Sequence, residues 1–195
     1  MRRLCFGGSF NPVHFGHLRC SQEAASTAGF ERVVLIVAGQ PPHKPKDTEL
    51  AAPEHRLAMT RLAVENEPLF EVEDLELRRA GPSFTLLTAR ELRRHGWGRV
   101  SWLIGADTVR NLPKWHKPLE LLDEVDFVLM ARPGFQFNWQ ELPEAYRKLK
   151  DAIVQVPQID ISGTEIRRRV REGQSIDEMT PRAVVEYIRA HGLYR

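Results

Sequence analysis

Residues 33–37 read Val-Val-Leu-Ile-Val, an apolar run with no polar face. A strand with one face in water alternates polar and apolar residues. A continuous run needs cover on both faces, as in a parallel sheet. Shorter runs of this kind recur at Leu4–Phe6, Val100–Ile104, Phe127–Met130 and Ile153–Val156, and Glu71–Leu77 reads as a further strand. Segments of helical period lie between them: 15–28, a stretch around Ala58, Met59, Leu62 and Ala63, then 85–94, 119–122 and 140–149. Two more helices, 164–171 and 182–190, end the chain, the last stopped by Gly192. Strand–helix alternation predicts an α/β fold, a doubly wound parallel sheet with helices on both faces, in a single domain covering 1–195. In such folds ligands bind at the carboxyl ends of strands, so the loops after strands carry the chemistry.

Composition narrows the function classes. A chain of 195 residues buries a core without disulfides or structural metal. A net charge of +2 gives no field to draw it to nucleic acid or membrane, and neither is expected as a partner. Cys5 and Cys20 are too few for a disulfide framework, and the apolar run behind Arg2–Arg3 breaks at Gly7, too short for a signal or a membrane span. The expected location is the cytoplasm. Oligomeric state is not legible.

The loop after the first strand reads GGSFNPVHFGHL, residues 7–18. It lacks the Lys-Ser/Thr of a Walker loop and the spacing of a dinucleotide GxGxxG. Gly7 and Gly8 allow a ligand close to the backbone, Pro12 stiffens the turn, and His14 and His17 stand three apart where a helix begins. Imidazoles beside exposed N–H groups at a helix N-terminus suit an anion. Two other readings stay open: a tight turn carrying surface histidines, and a metal site using His14, His17 and Cys20, although structural zinc takes four ligands.

Near the other end, residues 161–169 read ISGTEIRRR. Ser162 and Glu165 have capping-box spacing, so a helix starts near Gly163 with Thr164 and Arg167 on one face. Hydroxyl, guanidinium and helix N-terminus together suit polyphosphate, and a capped helix with a solvated basic face fits as well. Arg167, Arg168, Arg169 and Arg171 lack the interleaved aromatics of a nucleic-acid footprint.

The first loop resembles the (T/H)xGH nucleotide-binding loop of the nucleotidylyltransferase superfamily, usually GGTFDPIHxGHL, with Ser9 for threonine and Asn11 for aspartate. ISGTEIR resembles its partner motif ISSTxIR, with Gly163 for the second serine. Three middle segments resemble bacterial nicotinate mononucleotide adenylyltransferases: GQPPHKP (39–45), GPSFT (81–85) and IGADTVRNLPKWHKPLELL (104–122). The ending AVVEYIRAHGLY resembles that family's last helix.

The resemblance implies a Rossmann-like fold and transfer of the adenylyl group of ATP to nicotinate mononucleotide, with ATP and the mononucleotide as partners and Mg²⁺ arriving on the substrate. Nicotinamide mononucleotide, or another acceptor such as phosphopantetheine, is the alternative. By the same resemblance His14, His17, Lys44 and Arg167 are catalytic. Gly8, Ser9, Phe10, His17, Gly105, Asp107, Ser162, Thr164 and Arg167 bind ATP. Asn11, Lys44, Thr85, Asp107 and Trp115 bind the mononucleotide, Trp115 by stacking on the pyridine ring. No protein-held metal site is expected.

Overall fold

The computed structural model describes residues 1–42 and 49–195. Its first strand, β1 (Arg3–Gly8), runs two residues past the apolar core and passes through the glycine loop into α1 (Phe15–Thr27). β2 (Arg32–Val37) is the fully apolar run, and α2 (Pro53–Val64) starts on a proline, whose missing N–H is no loss in a first turn. β3 (Phe70–Glu73), α3 (Leu75–Arg78) and α4 (Thr85–Arg94) follow, then β4 (Val100–Gly105). The second half brings α5 (Pro118–Glu124), β5 (Val125–Ala131), α6 (Glu144–Arg147), β6 (Ile153–Gln155), α7 (Gly163–Arg171) and α8 (Arg182–His191). Gly192 ends α8 in the left-handed region at φ 59°.

Among the described residues the strands form one six-stranded sheet in the order β3-β2-β1-β4-β5-β6, every pair parallel. It is the Rossmann-like α/β sheet expected from the sequence. Because strands feed helices on both sides, successive residues of one strand enter different cores. Leu4, Phe6, Val33, Leu35 and Val37 pack with Ala24, Met59, Val184 and Ile188. Cys5, Val34 and Ile36 pack with Leu86, Leu92, Leu121 and Leu122. Each such fully buried aliphatic side chain contributes about 1.5–3 kcal/mol. Chain order reverses between β1 and β4, so a crevice opens at their carboxyl ends, near Gly8 and Gly105.

Three segments depart from the sequence reading. The strand expected over 71–77 stops at Glu73, and residues 75–78 wind into α3. There Arg78 pairs with Asp74 across one turn at 2.8 Å, and Leu75 drops into the second core. The helix expected over 140–149 is broken, because Leu142 is extended before Pro143; proline disfavours helical backbone in the residue it follows. Residues 106–114, joining β4 to Trp115, form a 3₁₀ helix that apolar periodicity does not signal. Among the described residues, no helix is long and apolar enough to cross a membrane.

Candidate active site

His14 caps α1, and its backbone N–H donates to His17 Nδ1 at 3.3 Å. With Nδ1 accepting, the ring proton of His17 is on Nε2. The two imidazoles lie nearly face to face, centroids 3.6 Å apart at 26°. Gly16 permits this, since a Cβ there would sit 3.0 Å from the His14 ring and 3.4 Å from the Ile161 carbonyl. Burial pushes the His14 pKa down to about 4, so His14 is neutral at physiological pH. Phe10, at φ 45° and 1% exposed, backs the pair with its ring edge-on to His17 at 5.1 Å.

The far end of the chain closes on this loop. Arg167 Nη1 donates to the Asn11 carbonyl at 2.9 Å, Thr180 Oγ1 to the Val13 carbonyl at 2.8 Å, and the Phe15 N–H to the Met179 carbonyl at 3.0 Å. Ser162 caps α7 by accepting from the Glu165 N–H at 3.2 Å. Only that half of the capping box forms with Ser162, because the Glu165 carboxylate reaches forward to Arg168 and Arg169. These guanidinium bonds hold the Glu165 pKa down to about 2.

Two cavities meet in the crevice, sharing Phe6 and Gly105. The first, about 500 Å³, is lined by Gly8, Ser9, Thr85 and Trp115, with Phe84 and His116 stacked at 4.3 Å on its wall. The second, about 430 Å³, is lined by His14, His17 and Asp107, and by Phe135, Ile159 and Ile161. Asp107 is exposed in the first turn after β4. Of the sequence-chosen residues, Gly8, Ser9, His14, His17, Thr85, Gly105, Asp107 and Trp115 thus gather around one crevice.

The other described ones, Phe10, Asn11, Ser162, Thr164 and Arg167, stand apart from those linings. Phe10 presents its ring to the core. Asn11 is 4% exposed with its amide committed: Nδ2 donates to the Glu49 carbonyl, while Oδ1 accepts from the Ala51 N–H and the Tyr194 hydroxyl. Arg167 bonds Glu49 at 2.9 and 3.1 Å as well as the Asn11 carbonyl, and Thr164 Oγ1 lies 3.5 Å from its Nη2. Ser162 and Thr164 are exposed at the start of α7. Lys44 lies outside the described residues. Among the described residues, no three His, Cys, Asp or Glu side chains converge as metal ligands would; Cys20 points its thiol at the Pro157 carbonyl.

Residues 5–169 match the cytidylyltransferase-like family model. Two curated relatives, one from Thermus thermophilus and one from a Roseiflexus species, carry the name "Probable nicotinate-nucleotide adenylyltransferase". The first is 42% identical with 100% of both chains covered. The second is 40% identical, with 97% of this chain and 96% of its own covered. The chain belongs to the nicotinate-nucleotide adenylyltransferase family. Its fold is also that of the Plasmodium falciparum nicotinic acid mononucleotide adenylyltransferase. The structure complexed with APC superposes at TM-score 0.74 and 17% identity, with 100% of this chain and 98% of that one covered. The structure complexed with NaAD superposes at 0.73 and 18%, with the same coverage.

Within this family the two motif departures have local causes. An aspartate at 11 could not donate to the Glu49 carbonyl, which the Asn11 amide does at 3.0 Å. A side chain at Gly163 would put its Cβ 2.8 Å from the Asn11 carbonyl, so this close approach requires glycine. Sequence reasoning also passed over several residues at the site. Phe84 and His116 adjoin Thr85 and Trp115 and had no separate signal. Glu76 lines the first cavity at 4% exposure, accepting from Thr88 Oγ1; burial raises its pKa against the opposing hydrogen bonds. Arg56 was legible in principle: with Met59, Thr60 and Ala63 it forms an i, i+3, i+4, i+7 stripe, and all four are buried.

Proposed function

We propose that this protein joins ATP and nicotinate mononucleotide into deamido-NAD, releasing pyrophosphate, in NAD biosynthesis. The observation that carries the reading is the meeting of two unlike cavities at Phe6 and Gly105. One offers imidazoles and a carboxylate for a nucleoside triphosphate. The other offers an indole and an aromatic wall for a pyridine ring.

The acceptor's 5′-phosphate is already anionic at neutral pH and needs no general base. One of its oxygens bonds to the α-phosphorus of ATP while the bond from that phosphorus to the bridging oxygen breaks, and the electron pair departs with pyrophosphate. Catalysis then rests on alignment and on charge stabilisation at the transferring group. His17 donates from Nε2 to the α-phosphate, and the neutral His14 stacked on it fixes the ring. Asp107 accepts from ribose hydroxyls, with Gly105 giving the backbone room. Gly8 and Ser9 face the phosphates. Thr164, Arg167 and Lys44 take the departing pyrophosphate, and Ser162 holds the start of the helix that carries Thr164 and Arg167. For Arg167 this means exchanging Glu49 for phosphate. Mg²⁺ would arrive on the nucleotide and neutralise phosphate charge there, without a dedicated ligand set from this chain.

Thr85 opens α4 beside the first cavity, and the positive end of that helix favours the nicotinate carboxylate over an amide. A cytoplasmic location is part of the same reading. The deciding experiment supplies ATP and Mg²⁺ with nicotinate mononucleotide, nicotinamide mononucleotide or phosphopantetheine, and resolves products chromatographically. Deamido-NAD with the highest kcat/KM for the nicotinate form is expected. Product from phosphopantetheine alone would transfer the assignment to another acceptor.

A further inference from the structure

At the carboxyl ends of parallel strands, where this fold takes its ligand, the backbone carbonyls just past the ladder have no neighbouring strand to bond. That is a poor boundary for an anion. In this protein one side chain covers those carbonyls at β1 and β2. Arg56, on the second turn of α2, is 0% exposed. Its Nη1 donates to the Ser9 carbonyl at 2.8 Å and the Ala38 carbonyl at 2.7 Å, its Nη2 to the Gly39 carbonyl at 3.3 Å, and its Nε to the Ala51 carbonyl at 2.9 Å. Ser9 directly follows β1, Ala38 and Gly39 directly follow β2, and Ser9 and Ala38 line the first cavity.

Among the described residues, each partner is a neutral carbonyl. The acidic groups that face Arg56, Glu54 and Tyr194, make no hydrogen bond to it, and Tyr194 commits its hydroxyl to Asn11. A guanidinium buried among neutral groups carries a large desolvation penalty, and a strap for three loops could be made without a charge. A charge placed one carbonyl behind the cavity wall has that penalty offset when an anion arrives.

We propose that Arg56 is a positioning residue for phosphate, covering the strand-end carbonyls beside the crevice and lending a positive charge from behind Ser9 and Ala38. The phosphate it serves belongs to the mononucleotide or to ATP. The inference rests on the proposed adenylyl transfer for those two substrates.

The test measures binding to wild type, Arg56→Gln and Arg56→Lys with two ligand pairs: nicotinate mononucleotide against nicotinate riboside, and ATP against adenosine. In Arg56→Gln the affinity ratio of the phosphorylated to the unphosphorylated member falls about tenfold for at least one pair, the size expected of one charge acting across a partly buried gap. The pair that responds names the phosphate served. In Arg56→Lys, which keeps the charge, both ratios stay within about threefold of wild type. A purely structural strap would weaken both members of each pair alike, and unchanged ratios in Arg56→Gln would overturn the proposal. If circular dichroism shows that Arg56→Gln does not fold, Arg56→Lys decides: a fall of about tenfold there, with charge retained, also overturns it. Wild type that binds none of the four ligands would refute the adenylyl-transfer reading itself, a result distinct from either of these.

Discussion

The imidazole cavity and the aromatic cavity share a wall, yet they are assembled in different ways. The imidazole side is built by one loop whose backbone is held from several directions. Asn11, Val13 and Phe15 are bonded to residues of the C-terminal third, and the two rings stack over Gly16. The aromatic side is put together from separate segments: Thr85 at the head of α4, Trp115 at the end of a 3₁₀ helix, and Phe84 leaning on His116. Groups that act on a reacting phosphate need fixed geometry, which a cross-braced loop provides. Recognition of a flat ring needs surface more than precision, and segments that meet by packing can supply it.

The sharpest way to break this contrast is His17→Ala. If the imidazole side carries the chemistry, kcat falls about 10²-fold or more, the effect of losing a transition-state donor. Pyrophosphate release measures it, and near-normal turnover would move the chemistry elsewhere. A second test concerns how deeply the loop is set. Burial holds the His14 pKa near 4 against 6.5 for the free side chain. Between those values the unfolded chain takes up a proton that the folded one refuses. Stability therefore falls as pH is lowered through that window, by on the order of 3 kcal/mol when complete. Urea unfolding of wild type and His14→Gln should show the wild type losing more stability than the variant as pH falls from neutral into that window; parallel curves would contradict the burial of His14. The mildest expectation belongs to the other cavity. Trp115→Ala should raise KM for the mononucleotide about tenfold, the upper range of a ring-stacking contact, with KM for ATP little changed. Equal rises in both would erase the division of labour.

Much of the molecule was open to reading from its residues. The run at 33–37 dictated a strand covered on both faces, and the helix expected at 85–94 has those bounds in the structure. The glycine loop announced its histidines by position. Less visible were the elements whose fate depends on neighbours distant in the chain. Leu75 and Leu77 alternate like a strand, but in the structure they lie in a helical turn, with Leu75 in the second core and Leu77 against the first. Charge alone does not separate Arg56 from Arg61, which is exposed and paired with Asp74; only the buried stripe that Arg56 shares with Met59, Thr60 and Ala63 does.

Local order in the residues thus determined the alternation of elements, the parallel sheet and the two loops where nucleotide binding was expected, because hydrophobic period and turn chemistry act over a few neighbours. Tertiary structure decided which of the chosen side chains face the crevice. Asn11 turned inward, Arg167 went to Glu49 and the Asn11 carbonyl, and Arg56 was buried beneath the strand ends. A polar group's orientation is set by the hydrogen-bond partners it meets, and here those partners arrive from remote parts of the chain.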